Sequence, residues 1–293
     1  MRNLCMAIIV LVTCLPLAAQ AEETPNQITV LVDAFSDRSD LKKDWGYSAV
    51  VEYSGRRILF DTGNDSELFR FNVDVLGIDF RNLDAVVISH RHGDHTDGLR
   101  YLLSINPSVV IYVADDEYFG GPTPRRFFEK PVDTLPARMR YFDGRVPHLL
   151  PHGSPWKHAK LRRVSSTLEI FPGIRVVPNI SAGESFTETP ELSLVIDTPR
   201  GQVLLVGCSH PGIEQILESV QGRTYSVRLI MGGLHWLTLP DSEVERLAHD
   251  LVHKWSVHSV APGHCTGEVG FSVLSRMFGS RYLYAGLGSA IEL

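Results

Sequence analysis

The sequence has 293 residues, 44% of them hydrophobic and 21% charged, with a formal net charge of −6. That length and balance suit a globular chain with a large buried core, and they exclude a disordered polymer or a small disulfide-stapled scaffold. The acidic balance argues against nucleic-acid binding by bulk electrostatics, so the expected partner is a small molecule, with homo-oligomerisation left open.

The first 21 residues read differently from the rest. Arg2 supplies a short positive start, residues 4–19 are almost wholly apolar, and Ala19-Gln20-Ala21 matches a small-x-small cleavage site. The run predicts a signal peptide cut after Ala21 and a periplasmic or secreted protein, the alternatives being a buried N-terminal helix or an uncleaved anchor. Thr13 makes Cys14 a poor lipidation site. No later stretch reaches the ~18 apolar residues of a spanning helix, so no stable membrane insertion is expected after cleavage. Cleavage leaves Cys208 and Cys265, each within two residues of a histidine, which favours thiols at or near a metal site over a structural bridge.

Residues 22–293 are expected to form one domain. Segments 28–32 and 48–53 alternate as strands, and 57–60 follows across a Ser54-Gly55 turn that closes a hairpin. Asp61-Thr62-Gly63 ends it, and 66–76 has the apolar spacing of a helix. A short buried strand at 85–89 runs into His90-Arg91-His92-Gly93-Asp94-His95. A helix over 98–106 ends before Pro107, and 109–113 is another strand.

The stretch from about 115 to 165 breaks the rhythm. Between Gly121 and Arg163 it carries ten Lys/Arg against three Asp/Glu, which reads either as a lid that attracts an anionic substrate or as a solvated excursion. His148 and His152 within it read as surface residues. Strands then resume at 175–177, 192–197, 202–206, 227–231 and 259–261, with helices at 211–220, 242–255 and 270–278. Hairpins in the first half and β/α alternation in the second predict a layered α/β sandwich with sheets in the middle.

The chemistry concentrates in His90-x-His92-x-Asp94-His95. It follows a buried strand, so its side chains project from the carboxyl edge of a sheet. Alternate residues of an extended segment share a face, so His90 and His92 can grip one ion while Asp94 and His95 turn toward a second position. A metal needs further ligands, and three histidines follow later strand ends: Gly207-Cys208-Ser209-His210, Gly232-Gly233-Leu234-His235 and Gly263-His264-Cys265-Thr266-Gly267.

On these motifs the chain resembles the metallo-β-lactamase superfamily over essentially all of residues 22–293. Gly-Cys-Ser-His-Pro-Gly, Gly-Gly-x-His and His-Cys-Thr-Gly resemble its branch named for dihydropterin ribofuranosyl-aminobenzene phosphate synthases. The resemblance implies a four-layer αββα sandwich with metals at one edge between the two sheets, supported from behind by Asp61-Thr62-Gly63. It implies His90, His92 and His210 at a first metal, and Asp94, His95 and His264 at a second. Cys208 stands where most members place a bridging aspartate, so the bridge is left open between the Cys208 thiolate, Glu191 and water alone. One or two divalent ions are expected; cysteine favours zinc, while iron and manganese suit the other ligands.

The function expected from this set is hydrolysis by a metal-activated hydroxide of a small anionic ester, such as a phosphoester or cyclic phosphate, or of a lactone. Asp94 is assigned to orient the nucleophile, and His235 is a proton donor, an oxyanion contact or a packing residue. The competing readings are a non-catalytic exported metal-binding protein and a β-lactam hydrolase, the latter disfavoured by the branch motifs. No Gly-x-Ser-x-Gly elbow or dinucleotide fingerprint is present.

Overall fold

The computed structural model describes residues 25–120, 133–146, 156–181, 189–220 and 226–293. The expected signal segment, Arg125, Arg126, His148 and His152 lie outside the described residues. Among the described residues no helix is long and apolar enough to cross a membrane.

Two sheets stack face to face with helices outside both. The first holds β1 (Gln27–Val32), β2 (Ser48–Tyr53), β3 (Arg56–Phe60), β4 (Ala85–Val87), β5 (Val110–Ala114), β6 (Lys160–Val164) and, at its far edge against β1, the chain's last strand, Ala290–Glu292. The second holds β7 (Leu168–Phe171), β8 (Ile174–Ile180), β9 (Pro190–Thr198), β10 (Gly201–Val206), β11 (Val227–Gly233) and β12 (Ser259–Gly263). The last strand, Ala290–Glu292, is β13.

Both sheets are mixed in the same way. β1, β2 and β3 form an antiparallel meander, whereas β3 to β6 run parallel. In the second sheet β7 to β10 are antiparallel and β10 to β12 parallel. Parallel strands end at a common edge, so the carboxyl ends of β3, β4, β10, β11 and β12 can all contribute to one site.

Three apolar clusters make the four layers. The cluster between the sheets unites Val51, Phe60, Leu194, Leu205 and Met231. Another packs the second sheet against α4 (Ile213–Val220), α5 (Asp241–His253) and α6 (Glu268–Phe278). The remaining one packs the first sheet against α1 (Ser66–Val75) and α3 (Leu99–Ile105). Alternation produces this: within β10, Val203 and Leu205 face the other sheet while Leu204 and Val206 face the helices. A side chain of this size, fully buried, contributes about 1.5–3 kcal/mol. Asp65 caps α1 by accepting from the Glu67 and Leu68 amides.

The expected elements are found with small shifts at their ends, but the basic stretch hides structure. Residues 160–164 form β6, the outer strand of the first sheet, and β7 follows. The Lys160, Arg162 and Arg163 side chains suit an exposed edge, and they mask the apolar alternation that marks the other strands. Trp156, just before β6, packs on Phe119 with ring centroids 5.5 Å apart. This part of the expected lid is therefore tied to the body of the protein. β13, three residues long, is too short for a sequence pattern to mark.

Candidate metal centre

Beyond β4 the chain bends at Arg91, His92 is extended, and Gly93–Thr96 then forms a single helical turn, α2. That turn carries Asp94 and His95 toward His264, with the His95 ring still 4.3 Å from that of His90. Its carbonyls are pinned by the first sheet: Tyr47 N–H donates to Asp94 O at 3.3 Å and Thr62 N–H to His95 O at 2.8 Å. Gly46, at φ +114°, allows this approach, because a Cβ there would lie 2.2 Å from Asp94 O. The second sheet closes on the same point. Leu192 N–H donates to Ser89 O at 2.8 Å, and a Cβ on Gly207 would lie 2.2 Å from Ser89 Oγ.

Two groups of candidate ligands result, within each of which the donor atoms all lie within 4.8 Å of one another. One is His90, His92 and His210; the other is Asp94, His95, Cys208 and His264. In the first, His90 Nε2 lies 3.0 Å from His92 Nδ1 and 3.3 Å from His210 Nε2. In the second, His95 Nε2 lies 3.2 Å from Cys208 Sγ and 3.5 Å from Asp94 Oδ2, which is 3.1 Å from His264 Nε2.

The Metallo-beta-lactamase superfamily profile matches residues 46–245. The chain belongs to the metallo-beta-lactamase superfamily. It is 27% identical over 242 residues to the 7,8-dihydropterin-6-methyl-4-(beta-D-ribofuranosyl)-aminobenzene-5'-phosphate synthase of Methanocaldococcus jannaschii, covering 74% of this chain and 78% of that protein. Over 76 residues it is 42% identical to a ribonuclease Z of Clostridium perfringens, 26% of this chain and 22% of that protein. Its fold matches the crystal structure of a metal-dependent hydrolase of the beta-lactamase superfamily, with TM-score 0.68, 24% identity and coverage of 91% and 98%. A superfamily that includes a ribonuclease removes the argument from net charge against a nucleic-acid partner, and that expectation is not retained. Local charge around a cleft, not the whole-chain sum, decides what enters it.

Asp61 organises this superfamily member's site. Fully buried at the end of β3, it accepts the Ser89 amide at 2.6 Å, the Ser89 hydroxyl at 2.7 Å and His95 Nδ1–H at 2.7 Å. The one Ser89 hydroxyl hydrogen is donated to Asp61, so the oxygen accepts from His90 Nδ1–H at 2.9 Å. These bonds fix both rings and, in neutral His90, turn the Nε2 lone pair inward.

The first group fits a cation directly. Three imidazole nitrogens converge with no carboxylate or hydroxyl among them. Burial lowers His90 well below the usual range, and burial with nearby His235 and His92 lowers His210 to about 3, so both stay neutral with lone pairs available. The second group fits after losing protons. Burial opposes charge on His95, but Asp61 and Asp94 outweigh it and raise its pKa to about 10. Cys265 and burial push the Cys208 thiol up. Gly46 N–H donates to His264 Nδ1 at 3.2 Å, so His264 Nε2 carries a proton toward Asp94 that must move before this nitrogen can ligate.

Two of the three expected bridge choices change character. The Glu191 carboxylate is wholly buried and accepts the amides of Cys208, Ser209 and His210 at 3.0, 2.9 and 2.8 Å, so it clamps the turn that presents His210. It lies in neither group. Cys208 Sγ lies with the second group rather than between the two.

His235 stands outside both groups but beside the first, its ring centroid 4.5 Å from that of His210. With Trp45, Asn64, Leu237 and Thr238 it lines a cleft of about 550 Å³ that also reaches His92, Asp94, His210 and His264. Trp45, whose ring lies 4.6 Å from His264, carries no sequence signal because it precedes β2 in an irregular loop. The buried Arg91–Asp116 pair at 2.6 Å was equally hidden; it ties the His90–His92 segment to the end of β5. Among the described residues, four of the eight non-glycine positions with left-handed backbone are Asp61, Ser209, His235 and His264. Such strain persists where surrounding structure enforces it, and here it collects at the site.

The proton inventory predicts different pH dependences for the two groups. Zinc uptake by His90, His92 and His210 should change little between about pH 6 and pH 8, because no proton is displaced. Uptake by the second group should tighten as pH rises, about tenfold per unit for each proton released from His95 or Cys208. Titration calorimetry in buffers of different ionisation heat reads the proton count. Equal release at both steps would contradict this assignment.

Proposed function

We propose that this chain is a metal-dependent hydrolase that binds two divalent cations, with zinc favoured by Cys208. His90, His92 and His210 hold the first; Asp94, His95, His264 and the Cys208 thiolate hold the second. The observation that carries this reading is the pairing of two donor groups at one open cleft. A non-catalytic binder has no need of that opening. A divalent cation bound there lowers the pKa of water toward neutrality and polarises a carbonyl or phosphoryl oxygen.

The side chains divide the remaining work. Asp61 and Ser89 hold His90 and His95 in place. Asp94 at the cleft wall orients the attacking water. Removal from water lowers the His235 pKa, so the ring is neutral at physiological pH and serves as a hydrogen-bond donor to developing oxyanion charge. The substrate proposed is a small anionic phosphoester or cyclic phosphate, with lactones as the neutral alternative. Cations held in the site favour anions. Similarity to a ribonuclease and to a synthase of a phosphate ester is consistent with phosphate chemistry, and an RNA substrate is kept within the class.

Export is proposed on the N-terminal apolar run and the Ala19-Gln20-Ala21 site. N-terminal sequencing of the protein recovered from cells should begin at Glu22.

Purified protein loaded with zinc or manganese is expected to hydrolyse at least one member of a panel of phosphodiesters, cyclic nucleotides, short RNA and lactones. A fully loaded protein inert to all of them would refute the hydrolase reading. His92→Ala should remove about one metal equivalent and abolish turnover. Unchanged stoichiometry by elemental analysis would contradict its place in the first group. His235→Phe, which removes the donor, should keep the metal content and lower kcat by about 10²-fold. A change confined to KM would assign His235 to ground-state binding instead.

A further inference from the structure

We propose that Cys208 and Cys265 form a peroxide-sensitive pair whose disulfide withdraws the Cys208 sulfur from the Asp94–His95–His264 group. The inference rests on the reading of Cys208 as a ligand.

Both cysteines are free, at 3% and 2% exposure. They come from different strand ends of the second sheet, Cys208 after β10 and Cys265 after β12, with Gly233 of β11 between. The absent side chain of Gly233 permits their approach: a Cβ there would lie 2.7 Å from Cys265 Sγ and 3.5 Å from Cys208 Cα. Cys265 Sγ lies 3.7 Å from Cys208 O, so the second thiol sits against the backbone of the first. On its other side Cys208 Sγ meets His95 Nε2 at 3.2 Å. The Cys208 sulfur thus stands between two partners it cannot serve together. As a thiolate it can join a cation beside His95; in a disulfide it carries no thiolate charge and is a poor donor.

Cys265 is in neither candidate ligand group, yet both cysteines line the cleft. Access through that opening suits a small oxidant such as hydrogen peroxide. One sulfur attacks peroxide, forming an S–O bond as the O–O bond breaks and water leaves. The second sulfur attacks this sulfenic acid, forming S–S as the S–O bond breaks and a second water leaves. Two thiols and one peroxide become one disulfide and two waters.

The test treats metal-free and zinc-loaded full-length protein with hydrogen peroxide, then measures intact mass, free thiols and zinc capacity. The metal-free protein should lose both thiols and about 2 Da in mass, with a cross-linked peptide containing both cysteines. Bound zinc should slow this at least tenfold. The oxidised protein should bind about one zinc where the reduced protein binds about two, and dithiothreitol should restore the difference. Cys265→Ser and Cys265→Ala, two variants of different polarity, should each bind the full complement of zinc before peroxide and show neither the 2 Da loss nor the cross-link after it. Persisting thiols, or added oxygen without a cross-link, would overturn the pairing. A cross-link that leaves zinc capacity unchanged would overturn the coupling. Reduced protein that binds no zinc, whether or not the cross-link forms, would instead refute the metal reading on which the coupling stands.

Discussion

A carboxylate sealed inside a protein has to be surrounded by donors, and at Asp61 those donors are the site itself. The Ser89 amide and hydroxyl and His95 Nδ1–H all terminate on it, and Ser89 passes the constraint on to His90. One residue at the end of β3 therefore sets the ring orientation of one histidine in each ligand group. Its left-handed backbone, at φ +55°, is part of how the carboxylate is delivered to the buried side of the site.

Glu191 plays the matching part on the second sheet. It gathers three consecutive amides and fixes the turn that carries Cys208 and His210. Each sheet thus uses one buried acid, supplied from its own strands, to shape a loop at the shared edge. The sheets are joined there by the Leu192–Ser89 backbone bond and by the bare surface of Gly207. The cleft is lined by His92, Asp94 and His210 from the two candidate groups, while His90, His95 and the two acids that hold the loops are buried behind it.

The two candidate ligand groups differ in readiness. His90, His92 and His210 are neutral and convergent, whereas Asp94, His95, Cys208 and His264 are linked by protons that a cation must displace. That difference follows from composition. Imidazoles with no carboxylate bonded to them shed charge on burial, while a histidine bonded to Asp61 and Asp94 retains it. It also makes the second group the one that pH, and the Cys265 thiol, can reach.

Much of this was legible in the order of residues. The strand before His90, the spacing from His90 to His95 and the glycines preceding Cys208, His235 and His264 point to a metal-bearing sheet edge because period-two alternation and ligand chemistry are local properties. The alternation of β and α in the second half likewise indicates the layered sandwich. What tertiary structure decided was every relation between distant segments. Glu191 and Cys208, 17 residues apart, could equally have supplied a bridge; packing gives the first to backbone amides and places the second beside His95. Trp45, the Arg91–Asp116 tie and the Cys208–Cys265 contact have no local signature at all. Sequence period reports which face of an element is buried, but not which neighbour covers it, and only the closing of two sheets on one edge determined which donors meet.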